Sequence, residues 1–235
     1  MQPPTLTYVT VTYASSSKGR DREAPGSAKP ILRGWLHLGM APVMQVACLA
    51  LIVVTPTLPG RLGLAIYLLG ATLLFGTSAV YHRGRWTTRG EAVLRRMDHA
   101  NIFVFIAATY TPLALSLLDA RNATILLAVI WGIAAAGITF KLTWMTAPRW
   151  LYTALYVAMG WAAVAWLPAF WASGGPAVVV LLLAGGLIYT FGALVYARKS
   201  PNPSPRWFGF HEIFHACTVA AAICHFIAIA LATLA

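Results

Sequence analysis

Charge is scarce in this chain. Only 6 of its 235 residues are Asp or Glu, and charged residues of both signs make up 10%. Ordinary soluble domains carry about 25%, so too few charges are present to cover a water-soluble surface. The hydrophobic share is 59% and the mean hydropathy is +0.72, which also excludes a disordered chain. Cysteine is equally sparse. Cys48, Cys217 and Cys224 are odd in number, far apart and set in apolar runs, so they read as small buried hydrophobes rather than a disulfide framework. What remains is an all-α integral membrane protein.

The net charge of +11 comes from 17 Lys and Arg. In this setting it marks cytoplasmic loops rather than a nucleic-acid surface, and no nucleic-acid partner is expected. Residues 1–33 hold Pro3-Pro4, Ser15-Ser16-Ser17 and five basic residues, and read as a flexible basic cytoplasmic tail without a signal-peptide pattern. Residues 34–235 read as one membrane domain.

A spanning helix needs about 20 apolar residues. Seven runs qualify, at about 36–56, 62–82, 98–118, 123–142, 151–171, 177–197 and 210–234. With the N-terminus cytoplasmic, fifteen Lys and Arg fall on inside segments and two, Arg61 and Arg121, fall outside. The positive-inside rule therefore predicts a seven-transmembrane-helix bundle, N-terminus cytoplasmic and C-terminus outside. The runs are continuous rather than alternating, which excludes a β-barrel. Glycines in the fourth to sixth spans (Gly132, Gly137, Gly160, Gly185, Gly186 and Gly192) predict close helix packing. Trp35, Trp144, Trp150, Trp166, Trp171 and Trp207 fall near span ends, as interfacial anchors do.

Ionisable residues at membrane depth are costly, so each is a functional candidate. Ser78 and His82 lie one helical turn apart at the inner end of the second span. Asp98 opens the third from the same side, and His211, Glu212 and His215 open the seventh. Two imidazoles at i and i+4 can share one metal. Adding His82 gives three nitrogen ligands and an open fourth position, the pattern of catalytic rather than structural zinc. Asp98 would then hold a water and act as general base, and Ser78 would orient it or donate to a developing oxyanion. His37 and His225 pair with no other histidine at ligand spacing and are expected to pack or hydrogen-bond. His99, beside Asp98, is expected to support the site from behind. His211 to His215 also matches H-E-x-x-H, which raises an intramembrane zinc metalloprotease with Glu212 as base. In the site-2 proteases, however, the Asp ligand follows the motif, whereas Asp98 precedes it.

Three motifs in order resemble a known family: Ser78-Ala79-Val80-Tyr81-His82; Asp98 within Arg95-Arg96-Met97-Asp98-His99-Ala100-Asn101-Ile102-Phe103, followed by Ala108-Thr109-Tyr110-Thr111-Pro112; and His211-x3-His215 with Cys224-His225-Phe226. Together, over about residues 30–235, they look like the hemolysin III branch of the progestin and adipoQ receptor (PAQR) family. The resemblance implies seven helices and a cytoplasmic-side zinc on His82, His211 and His215, with Asp98 holding water and Ser78 beside it. It implies hydrolysis of a lipid amide or ester, as in the related alkaline ceramidases, with membrane lipids and a lipid-like substrate as partners. The setting it implies is a bacterial-type plasma (inner) membrane. It also keeps open a non-enzymatic membrane-homeostasis or receptor-like protein with structural zinc, or a pore-forming haemolysin. Relatives often carry a Glu and an Asn before the histidine of the first span; here Pro30 and Arg33 take those places, which leaves that first motif without an expected role. The position of Glu212 varies in the family, so it is not expected to be the base.

Overall fold

The computed structural model describes residues 30–144 and 146–235. Most of the expected N-terminal tail, residues 1–29, lies outside the described residues. The architecture is all-helical: α1 (Trp35–Val54), α2 (Leu58–Ala71), α3 (Thr77–Arg83), α4 (Thr88–Leu117), α5 (Ala120–Thr143), α6 (Arg149–Gly160), α7 (Leu167–Arg198) and α8 (Phe210–Leu234). Among the described residues there is no strand, only an isolated bridge between Ser204 and Phe208. Six helical stretches are long and apolar enough to cross a membrane. Their outward faces carry large apolar side chains such as Val46, Val53, Leu187 and Phe191, each more than half exposed. Water would not tolerate that many; lipid does. Five of the six tryptophans at the expected span ends are exposed, in keeping with interfacial anchoring, while Trp166 packs partly against the core.

Short polar segments set the helix starts. Thr57 and Thr87 accept hydrogen bonds from Gly60 N (3.2 Å) and Gly90 N (3.2 Å) at the heads of α2 and α4. Asp119 does the same for α5, taking Asn122 N (3.0 Å) and Asn122 Nδ2 (2.6 Å); these bonds hold its exposed carboxyl below the usual carboxylate range. The longest spanning stretch, Arg149–Arg198, comprises α6, a 3-10 turn (Ala162–Trp166) and α7. It breaks inside α7 at Gly175, whose φ of 76° and ψ of 178° only glycine adopts readily, with Pro176 following. The Gly174-Gly175-Pro176 break between two apolar runs is therefore present in the backbone.

α4 is the central helix, packed on α2, α3, α5, α6, α7 and α8. It begins ten residues before the expected third span, so Asp98 lies well inside a helix instead of opening one. The first turns of α4 are polar and mostly exposed. Hydropathy marks only the apolar part of such a helix.

Between α2 and α3 the chain forms one turn of π-helix, Thr72–Gly76. Such a bulge alters the backbone pairing and often sits beside functional residues. Asn101 of α4 supports it, donating to Leu73 O (2.9 Å) and Thr77 Oγ1 (3.0 Å). Replacing Asn101 by Leu is expected to cost about 1–3 kcal/mol and to lower the thermal unfolding midpoint in detergent; an unchanged midpoint would show that Asn101 does not support the bulge.

Glycine packing is more selective than expected. Gly185 and Gly192 bring α7 against α8: an added Cβ would lie 2.4 Å from the His225 ring and 2.7 Å from Cys217 Cβ, respectively. Gly137 similarly admits Phe103, at 2.4 Å, and Gly186 makes ordinary contact with Trp161. Gly132 and Gly160 meet nothing within 4 Å, so they are not packing glycines. Two that were not singled out, Gly63 and Gly70, seat α2 on α4 at Pro112 and Ala108. A Gly192→Ala change is expected to cost about 1–3 kcal/mol by overpacking, whereas Gly132→Ala should leave thermal stability intact or raise it.

Candidate metal centre and adjoining cavity

Two helices deliver the histidines to one place. His82 comes from the last turn of α3, and His211 and His215 from the first two turns of α8. One nitrogen of each lies within 4.8 Å of the others. Among the described residues this is the one group of three or more His, Cys, Asp or Glu side chains close enough to share a metal ion. The rings meet edge to face: His82–His211 centroids are 4.8 Å apart, His82–His215 5.1 Å and His211–His215 4.6 Å. Converging imidazoles suit a borderline-soft divalent ion such as zinc.

The acid and hydroxyl lie on the same side. Asp98 Oδ2 is 3.8 Å from His82 Nε2. Ser78 is buried one turn below His82 and within interaction range of the Asp98 carboxyl. Ser78, Asp98, His211 and His215 all line a cavity of about 160 Å3. From that polar end the cavity runs between α4, α6, α7 and α8 along Ile102, Phe105, Leu113, Phe170 and Leu182. The arrangement is a polar end that could hold a metal ion, continuous with an apolar interior.

Two parts of the site were not expected. The His37 ring lies flat on His215, with centroids 3.8 Å apart and planes 10° apart, and meets Phe75 edge to face. His37 is a packing residue, as expected, but it backs a candidate ligand, and both its ring nitrogens are buried without hydrogen-bond partners among the described residues. The second part is Arg33. Residues 30–33, assigned by sequence to the tail, form a turn packed on the segment before α8, with Ile31 N donating to Arg206 O (3.0 Å) and Leu32 N to Trp207 O (3.3 Å). Arg33 Nε donates to Glu212 Oε1 in a buried ion pair. The other Glu212 oxygen accepts from Gly209 N (2.8 Å), capping α8. Next to Arg33, Gly34 has a φ of 82°, and a Cβ there would lie 2.8 Å from the His82 Cβ. One short turn thus touches His82 of α3 and the head of α8 together. Glu212 is committed to Arg33 and Gly209, which is not how the base of an H-E-x-x-H protease is held.

Comparison with known proteins gives the family. The family profile described as "Haemolysin-III related" matches residues 26–226. The chain belongs to the hemolysin III branch of the PAQR family. It is 34% identical to the "Hemolysin-3 homolog" of Bacillus subtilis (strain 168) over 50% of this chain and 56% of that protein. It is 27% identical to "Hemolysin-3" of Bacillus cereus over 72% and 79% of the two chains. It is 30% identical to "Heptahelical transmembrane protein ADIPOR2" of Oryza sativa subsp. japonica, over 70% and 79%. The chain thus spans just over half the length of the first relative and about four fifths of the other two.

Within this family member, other motif residues take up structural roles. Tyr110 OH donates to Gly160 O (2.6 Å) and accepts from Ala163 N (3.3 Å), tying the end of α6 to α4 where the helix tightens into its 3-10 turn. Thr111 Oγ1 bonds Ala107 O (3.0 Å) and receives Trp131 Nε1 (3.3 Å). His99 stands against Tyr152, with ring centroids 5.7 Å apart, and its carbonyl accepts from Tyr156 OH (3.0 Å). His225 hydrogen-bonds Leu182 O through Nε2 (3.2 Å). All three cysteines are free thiols.

Proposed function

We propose that this chain is a zinc-dependent membrane hydrolase that cleaves an amide or ester in a lipid-like substrate. The observation that carries the reading is the continuity of one cavity, with three converging histidines, Asp98 and Ser78 at one end and an apolar interior beyond. His82, His211 and His215 would hold the ion, leaving a position toward the cavity. Zinc in such a site supplies a Lewis acid for the carbonyl and a water of lowered pKa. Asp98 then takes the proton of the attacking water and delivers it to the leaving group. Ser78 donates its one hydroxyl proton to the Asp98 carboxyl and so holds the base in place. The apolar walls bind the hydrocarbon chain and exclude bulk water.

The topology we propose has seven spans, with the N-terminus cytoplasmic and the C-terminus outside. At 1.5 Å per residue, the 50-residue stretch Arg149–Arg198 is about 75 Å long, more than twice a bilayer core of about 30 Å. Its break at Gly175 supports two crossings, and the rice relative is named heptahelical. With fifteen basic residues on one side, the metal centre falls at the inner leaflet of a bacterial-type plasma membrane. Thiol labelling of single cysteines placed at the two termini of a cysteine-free variant is expected to find them on opposite faces; the same face for both would refute the seven-span reading.

The activity is tested with the purified full chain in lipid nanodiscs and an N-acyl sphingoid amide or a matching ester. Fatty-acid release that stops on chelation and returns with added zinc is expected. No release from protein carrying zinc would refute the hydrolase and favour a non-enzymatic role for the metal.

A further inference from the structure

The cavity does not end in hydrocarbon. Its far wall includes Tyr189 and Thr190 of α7, His225 of α8 and Trp161. His225 lies ten residues beyond His215 on the same helix, about 15 Å deeper at 1.5 Å per residue. Apolar chains need no such groups, and polar groups at this depth are costly without partners.

Their hydrogen bonds show what is left over. Thr190 is satisfied, donating to Gly186 O (2.7 Å) and accepting from Trp161 Nε1 (3.0 Å). His225 uses Nε2 on Leu182 O, and no hydrogen bond is made by its Nδ1 among the described residues. With Nε2 as the donor, Nδ1 is an acceptor. Tyr189 OH is buried with no hydrogen-bond partner among the described residues, and its ring stands 5.5 Å from that of His225. A second phenol, Tyr67 of α2, is also buried without a hydrogen-bond partner among the described residues and lies within electrostatic reach of Tyr189. The His225 ring is seated in a notch made by Gly185, which a Cβ would fill. This end therefore presents a donor beside an acceptor, in a place built by close packing.

We infer that Tyr189 and His225 form a distal subsite that binds a hydroxyl group carried on the ligand chain about 15 Å from the metal-proximal carbonyl. A hydroxyl accepts from Tyr189 and donates to His225, completing both. An unsubstituted chain of the same length leaves both unmet. The inference rests on the reading of this cavity as a lipid-chain site, and it names the substrate class: chains with a polar substituent far from the reacting carbonyl.

The test is equilibrium binding to the zinc-loaded full chain in nanodiscs, by displacement of radiolabelled dodecanoic acid with unlabelled dodecanoic acid or ω-hydroxydodecanoic acid. The hydroxy acid is expected to bind about tenfold more tightly, the equivalent of one well-made hydrogen bond. Tyr189→Phe, which keeps the ring, is expected to bring the two acids within about twofold. His225→Gln provides a second variant with the same expectation. Equal affinity of the two acids for the wild-type chain, or a preference that survives both substitutions, would overturn the subsite and point to a trapped water instead. Failure of either acid to bind at all would overturn the lipid-chain reading with it. Binding of the acids together with no fatty-acid release from the N-acyl sphingoid amide or ester would count only against the hydrolase.

Discussion

Replacing Arg33 with alanine is expected to cost about 3–5 kcal/mol of stability, because it leaves the Glu212 carboxylate buried without its cation. That is a large part of the stability of a typical domain, so the variant should give low yields of folded protein and a sharply lowered unfolding temperature. Glu212→Ala should do the same and also remove the acceptor that caps α8 at Gly209. The paired change Arg33→Met with Glu212→Gln should recover much of the loss, since no charge is then buried and the amide oxygen still accepts from Gly209 N. A double-mutant cycle separates these terms. The same turn packs Gly34 against His82, so the single variants that do fold should also bind metal more weakly. Arg33→Ala protein with wild-type stability and metal affinity would show that the turn holds nothing in place.

Asp98→Asn carries the second large effect. It keeps the shape beside His82 but cannot take a proton, so turnover is expected to fall about 10²- to 10⁴-fold. Metal content should stay at the wild-type level, because the three nitrogen donors are untouched. Ser78→Ala should lose less, since it removes an orienting hydroxyl rather than the base. Full activity in Asp98→Asn would remove Asp98 from the chemistry.

Much of the architecture was legible because lipid imposes a simple demand. Every spanning helix must be a long apolar run, so the runs stood out and the last one coincides with α8. The histidine cluster was legible for a related reason: polar residues at membrane depth are few, and the loop charges put them at one level. What was hidden depends on contacts distant in sequence. Arg33 and Glu212 are 179 residues apart, and neither signals the other. The His37 stack on His215 required the relative placement of α1 and α8. α4 was read ten residues too short at its start because its first turns are polar and helical at once, which hydropathy cannot distinguish from a loop. Glycines at span level could be counted but not sorted: Gly137, Gly185 and Gly192 face a neighbour closely, while Gly132 and Gly160 do not. Asn101 and Tyr110 stood in the family motif without a role. They support the π-turn and the break after α6, features that no spacing announces.

The central claim is that His82, His211 and His215 hold one zinc ion, and elemental analysis of the full chain purified without chelators tests it most directly. About one zinc per chain is expected, falling to background in His82→Ala, His211→Ala and His215→Ala protein whose helicity by circular dichroism matches the wild type. Wild-type protein without zinc, or variants that keep it, would contradict the account.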